Sequence, residues 1–114
     1  MDVDKSLMTG TTTLLVLSLL RDGENYGYGI ISELARRSDE TFLLKEGTLY
    51  PILHGLENNK CVVSYIKEAE NGRQRKYYRL TKKGLKLLER KTQEWCFFAK
   101  KVDEVVLGTM HATA

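Results

Sequence analysis

From Thr11 to Arg21 the chain is almost continuously apolar, with Leu14, Leu15, Val16, Leu17, Leu19 and Leu20 on nearly every side of a helix drawn through them. Such a helix must be buried on more than one face, in a core or partly against a second chain. Asp22-Gly23 stops it. A second helix follows, for which Asn25 can act as the cap, with Tyr26, Ile30, Ile31 and Leu34 at helical spacing and an end near Arg36-Arg37. Ser38 to Leu44 turns from polar to apolar over too short a run for more than a loop or a brief strand. A third helix is expected over roughly Glu46 to Asn59. At 100° per residue, Leu49, Ile52, Leu53 and Leu56 form its buried stripe, and Gly47, Tyr50, Pro51, His54 and Asn58 fall on the opposite face. Pro51 lacks an N–H and belongs in a first turn or kinks the helix, which favours a helix start near Thr48 with Thr48 as the cap.

After that helix the period changes from helical to alternating. Val62, Val63, Tyr65 and Ile66 make a β-branched and aromatic run, Glu68 to Arg73 is a turn centred on Asn71-Gly72, and Lys76 to Leu80 is a second strand-like run. Alternation puts Arg75 and Tyr77 on one face and Lys76 and Tyr78 on the other, so one tyrosine belongs to the core and one to the surface, without selecting which. Thr81 then caps a long final helix through Val106, with Gly108 as a stop signal. Three helices, a hairpin and a long helix form a mainly α chain with a small β-hairpin, an α+β arrangement. It is the order of a winged helix-turn-helix unit with an appended C-terminal helix. The expected division is 1–81 for the winged-helix unit, 82–108 for the C-terminal helix and 109–114 for a disordered tail.

A length of 114 residues, with 42% apolar and 29% charged positions, is that of one ordinary globular domain rather than a disordered or fibrous chain. The apolar run within Leu14–Leu20 falls far short of the roughly 20 residues of a membrane span. The start Met-Asp-Val-Asp is acidic where a secretory signal would be basic. Cys61 and Cys96 stand 35 positions apart and there are two histidines, so neither a metal cluster nor a bound cofactor is expected. The reading is a soluble protein of a reducing cytoplasm.

Charge changes the picture more. Residues 1–59 hold five Lys/Arg against nine Asp/Glu, residues 60–91 eleven against three, and residues 92–114 two against three. A band of net +8 inside an otherwise acidic chain suggests a surface for a polyanion, the bland alternative being a solvated hairpin. Arg73, Arg75 and Lys76, at a tip loosened by Gly72, suit phosphate contacts. The outer face of the third helix carries an aromatic hydroxyl, an imidazole, an amide and a glycine where Glu, Lys and Gln would be usual. Such groups can approach base edges and phosphates in a major groove, and exposed N–H groups near Thr48 could meet a phosphate. His54 and Glu57 could pair at i, i+3, but no nucleophile or phosphate-cradling loop accompanies them, so no catalytic residue is assigned.

Four blocks carry a resemblance: Tyr26-Gly27-Tyr28-Gly29-Ile30, Glu46-Gly47-Thr48-Leu49-Tyr50-Pro51, Leu56-Glu57, and Arg75-Lys76-Tyr77-Tyr78-Arg79-Leu80-Thr81-x-x-Gly84. In order and spacing, over about residues 11 to 106, the chain resembles the PadR family of bacterial winged-helix transcriptional regulators, mostly repressors. Its single final helix is similar to that of the small-chain members. The resemblance implies that Glu46–Asn59 is the recognition helix, the Arg73 region the wing and the last helix the means of dimerisation. One departure is Lys60, where the family commonly has Gly, which moves a left-handed cap to Asn59 or strains Lys60.

Along the last helix Leu88, Trp95 and Val102 are seven apart, and Phe98 and Val105 fill alternate positions, a heptad seam with no partner left inside a small winged-helix core. A two-fold homodimer formed through this helix and the apolar first helix is expected, presenting two recognition helices to successive major-groove turns of a palindromic double-stranded DNA operator. Trp95 is either an interface anchor or a stacking surface for a flat apolar effector between subunits. Some short PadR-like regulators resemble the latter arrangement, which makes Met8, Val16, Trp95 and Phe98 candidate pocket residues. The expected function is a dimeric, sequence-specific DNA-binding repressor released by a small hydrophobic or aromatic effector. The alternative is a winged-helix module that binds protein.

Overall fold

A computed structural model of the protein describes residues 1–108, so the tail expected at 109–114 lies outside the described residues. The elements are α1 (Lys5–Thr9), α2 (Thr12–Arg21), β1 (Asn25–Tyr26), α3 (Gly27–Arg37), α4 (Glu46–Asn58), β2 (Val62–Glu68), β3 (Gln74–Leu80) and α5 (Lys82–Leu107). The order is the expected one, with two additions. The short α1 is capped by Asp4, whose carboxylate accepts the Ser6 N–H at 2.9 Å. The two-residue β1 pairs with β3 to make a three-stranded antiparallel sheet in the order β1-β3-β2.

The apolar α2 is the centre of the core. Val16 and Leu17 are wholly buried, and the helix packs against α3, β3 and α5. Ile30 and Leu34 of α3, Leu49, Leu53 and Leu56 of α4, Val62, Tyr78 and Leu88 close around it. Each fully buried aliphatic side chain contributes about 1.5–3 kcal/mol. The core therefore accounts for Val16, Leu17, Leu19 and Leu20 of α2, while Leu14 and Leu15 are half-buried. It also removes Val16 from the candidate effector pocket, because a side chain with no exposed surface cannot line a site.

Three further expectations are corrected. Asn25 does not cap the second helix. It is taken into the sheet opposite Tyr78, its side chain accepts the Tyr26 N–H at 2.9 Å, and Tyr26 is the N-cap. Thr48 is not the cap of α4, which starts at Glu46 after Lys45; the N–H groups of Thr48 and Leu49 both donate to the Lys45 carbonyl, at 3.0 and 2.9 Å. Pro51 thus sits in the second turn, and the carbonyl that loses its donor belongs to the exposed Gly47, where water can replace it. Leu88 is 3% exposed and belongs to the core, so it is withdrawn from the expected seam.

The choice between the wing tyrosines is also made. Tyr78 is 1% exposed and belongs to the core, while Tyr77 lies on the outer sheet face, in register with Tyr26 and Tyr65. After α4 the left-handed residue is Lys60, with φ +61°, and the Cys61 N–H reaches the Leu56 carbonyl at 2.8 Å to close the helix end. Thr81 caps α5 as expected, accepting the Gly84 N–H at 3.1 Å.

Candidate nucleic-acid interface

The amphipathic stripe of α4 turns Leu49, Leu53 and Leu56 inward. That leaves Gly47, Thr48, Pro51, His54 and Asn58 exposed and Tyr50 half-buried. The Tyr50 phenol lies against Gly27 so closely that a β-carbon there would meet its hydroxyl. Its ring centroid is 6.4 Å from that of His54. One aromatic of this face of α4 is therefore held by α3, and the other, His54, is exposed.

The wing is built by the β2–β3 hairpin. Its tip is closed by the Ala69 N–H donating to the Arg73 carbonyl at 2.7 Å and by Gly72 at φ +80°, a left-handed position that favours glycine. Arg73 and Lys76 are exposed. Arg75 is half-buried, its guanidinium 4.3 Å from the centroid of the Tyr26 ring, a cation–π distance. Among the described residues none of these three cations pairs with a carboxylate, although other cations do. Arg37 reaches Asp22 at 2.6 Å and Glu33 at 2.8 Å, Lys67 reaches Glu24 at 3.1 Å, and Lys101 reaches Glu104 at 3.2 Å. Hydrogen bonds from Arg36, then Arg37, hold the Glu33 carboxyl down to about 2.

An open cleft of about 580 Å³ joins the two parts. It is lined by Tyr26, Gly27 and Tyr28 at the start of α3, by Tyr50 of α4, and by Arg73, Gln74, Arg75, Lys76 and Tyr78 of the wing. Tyr26 and Tyr28 thus border the site. The signal was the Tyr-Gly-Tyr-Gly block, but what brings it beside Arg75 is the pairing of β1 with β3. The His54–Glu57 pairing does not form, because the Glu57 carboxylate accepts the hydroxyl of Ser64. Of the cysteines, Cys61 is buried and Cys96 is exposed on α5.

The profile of the Transcriptional regulator PadR-like family matches residues 16–90, from α2 into α5. The chain belongs to the PadR-like family. It is similar to a transcriptional regulator from Clostridium thermocellum, 35% identical, with a TM-score of 0.81 over 89% of this chain and 98% of that one. A PadR-like transcriptional regulator from Bacillus cereus is 30% identical, with a TM-score of 0.79 over 90% of this chain and 98% of that one. A PadR family transcription regulator from Clostridium difficile is 39% identical, with a TM-score of 0.71 over 87% and 100% of the two chains. Among curated proteins, an uncharacterized protein X of Lysinibacillus sphaericus is 31% identical over 106 residues, 93% of this chain and 97% of that one. PadR-like proteins are transcriptional regulators, which bind DNA as a family and are not enzymes in general. Among the described residues no helix of this PadR-like chain is long and apolar enough to cross a membrane.

Proposed function

We propose that this PadR-like regulator binds a palindromic DNA operator as a homodimer and represses transcription until a small hydrophobic or aromatic effector releases it. The DNA reading rests on the cleft in which Tyr50 of α4 and the unpaired cations Arg73, Arg75 and Lys76 share one surface. A duplex laid there puts the exposed face of α4, with Gly47, Thr48, Pro51, His54 and Asn58, in the major groove. The wing cations then meet the flanking phosphates. Residues 1–81 act as the DNA-binding unit and 82–108 as the dimerisation helix, in the cytoplasm.

Dimerisation is supported by what α5 leaves uncovered. Trp95, Phe98, Val102 and Val105 are 43, 59, 40 and 84% exposed. An apolar strip of that extent is suited to a second copy across a two-fold axis. Two recognition helices would then meet half-sites about 34 Å apart. Trp95 and Phe98, with ring centroids 6.3 Å apart, offer flat surfaces for an aromatic effector at that interface, with Met8 half-buried as a further candidate.

The test is a salt titration of binding to a labelled mixed-sequence duplex, with sedimentation of the free protein alongside. The expected result is a dimer whose log affinity falls linearly and steeply with log salt. A protein that binds no duplex at low salt would return the reading to a protein-interaction module.

A further inference from the structure

Two consecutive residues of β2 hold the wing from opposite sides. Ser64, on the inner face opposite Tyr78, donates its hydroxyl to the carboxylate of Glu57 in the last turn of α4. Tyr65, on the outer face opposite Tyr77, donates its hydroxyl to the carboxylate of Glu24, in the turn between α2 and β1. The Lys67 ammonium joins the same carboxylate at 3.1 Å. Tyr65 and Tyr77 stack with centroids 6.4 Å apart, and Tyr26 meets Tyr77 edge-on at 5.5 Å.

The place of this bracket matters because of how little backbone supports the wing. β1 pairs with β3 only at Tyr77 and Tyr78. From Ile66 round to Lys76 the hairpin has β-ladder partners only within itself. That free arm is about 15 Å long at 3.3 Å per residue, so a swing of about ten degrees at its base moves the tip by about 2–3 Å, enough to break a phosphate contact. The base of the arm is formed by the two adjacent rows that contain Ser64 and Tyr65.

We infer that Glu57 and Glu24 are positioning residues, which set the pitch of the wing against the recognition helix through the hydroxyls of Ser64 and Tyr65. The inference rests on the DNA-binding reading. Glu57 belongs to α4 itself, so one arm of the bracket ties the wing directly to the helix that enters the groove. The other arm anchors it to the turn that leads into α3. Bonds from a hydroxyl to an ionised carboxylate are stronger than neutral ones, which suits them to the task. The Tyr65 hydroxyl, then Lys67, hold the Glu24 carboxyl below the ordinary carboxylate range, so it remains an acceptor near neutral pH.

The test uses Ser64→Ala, Tyr65→Phe and the double variant, none of which changes net charge or removes a cation. Cooperative thermal unfolding establishes that each variant is folded. Amide exchange over 66–76 is expected to quicken in the double variant. Its affinity for a mixed-sequence duplex should fall about tenfold, with the slope of log affinity against log salt within one unit of the parent, because every phosphate-binding cation is retained. Glu24→Ala, which removes the acceptor of both Tyr65 and Lys67, combined with Tyr65→Phe should be no worse in exchange than Glu24→Ala alone, since the Tyr65 bond is already lost there. Unchanged exchange, or affinity within twofold of the parent, would overturn the inference. A parent protein that binds no duplex would sink the DNA reading and the functional half of this one, and the exchange data would still decide whether the two carboxylates hold the wing.

Discussion

The carbonyl oxygen of Cys61 occupies the space where a β-carbon on Gly84 would stand. Around that contact the exit from α4 and the entrance to α5 are tied into one knot. The Thr81 hydroxyl donates to the Lys60 carbonyl at 2.7 Å and accepts the Gly84 N–H at 3.1 Å, while the Thr81 N–H donates to the Cys61 carbonyl at 3.0 Å. α4 and the long helix α5 are thereby held in a fixed relation without a side chain at position 84.

Gly84→Ala should therefore be costly despite the better helix propensity of alanine. The obstacle is backbone, which cannot rotate away, and overpacking of this kind costs about 1–3 kcal/mol. Urea unfolding should show the loss as a lower midpoint at constant slope. A stability equal to the parent's would mean that the two helices can slide apart freely.

Lys60→Gly is expected to act in the opposite direction. Lys60 holds φ +61°, a left-handed conformation that costs an L-residue about 1–2 kcal/mol and glycine almost nothing. Part of the gain is offset by the greater freedom of glycine in the unfolded chain, leaving a net stabilisation of about 0.5–1 kcal/mol. The same urea series measures it, and a decrease would show that Lys60 makes a compensating contact.

Replacing Arg73, Arg75 and Lys76 together with Ala should weaken binding to all duplexes alike. The slope of log affinity against log salt should become shallower by nearly one unit per lost phosphate contact, at most about three per subunit. An unchanged slope would remove the wing from the DNA interface.

His54→Ala should behave differently, because His54 is exposed on the recognition face and its loss leaves the charge of the wing intact. Operator affinity is expected to drop by roughly 1–3 kcal/mol if the imidazole reads a base, with non-specific affinity nearly unchanged. Tyr50→Phe is the companion variant, chosen over Ala because the Tyr50 ring packs against Gly27. Equal losses on operator and random duplex would show that these groups touch only the backbone.

Trp95→Ala removes a large, 43% exposed indole from α5. If Trp95 anchors the interface, sedimentation should show a shift toward monomer and operator binding should weaken with no effector present. A variant that stays dimeric and keeps its operator, yet loses its response to planar apolar compounds, would assign Trp95 to the effector instead. Trp95 is the sole tryptophan, so quenching of intrinsic fluorescence by such compounds reads the site directly. Emission of a fully exposed indole from a monomeric protein would defeat both roles.

Much of the molecule was legible before any coordinates, and the reason is local. The stripe Leu49, Ile52, Leu53, Leu56 has a period that only a helix satisfies, Asn71-Gly72 between two β-branched and aromatic runs makes a hairpin, and Thr81 with Gly108 brackets the last helix. The four family blocks then tied those elements to a regulator. Two-residue β1 and five-residue α1 have no room to show a period. Asn25 and Thr48 were misplaced because a good capping residue says nothing about whether the backbone there is already engaged elsewhere.

The sequence by itself determined which segments are helix and hairpin, where the positive charge lies, and which family the chain resembles, because propensity, periodicity and charge are written in neighbouring residues. Only the tertiary structure decided what depends on residues far apart. It chose Tyr78 over Tyr77 for the core, since β1 and β2 fix which face of β3 turns inward. It drew Val16 and Leu88 into the protomer, because α2 and α5 pack against each other there. It set Tyr65 against Glu24, across 41 positions of chain. Such pairs carry no periodic signal: their meeting depends on how whole elements pack, a relation that no local window of sequence contains.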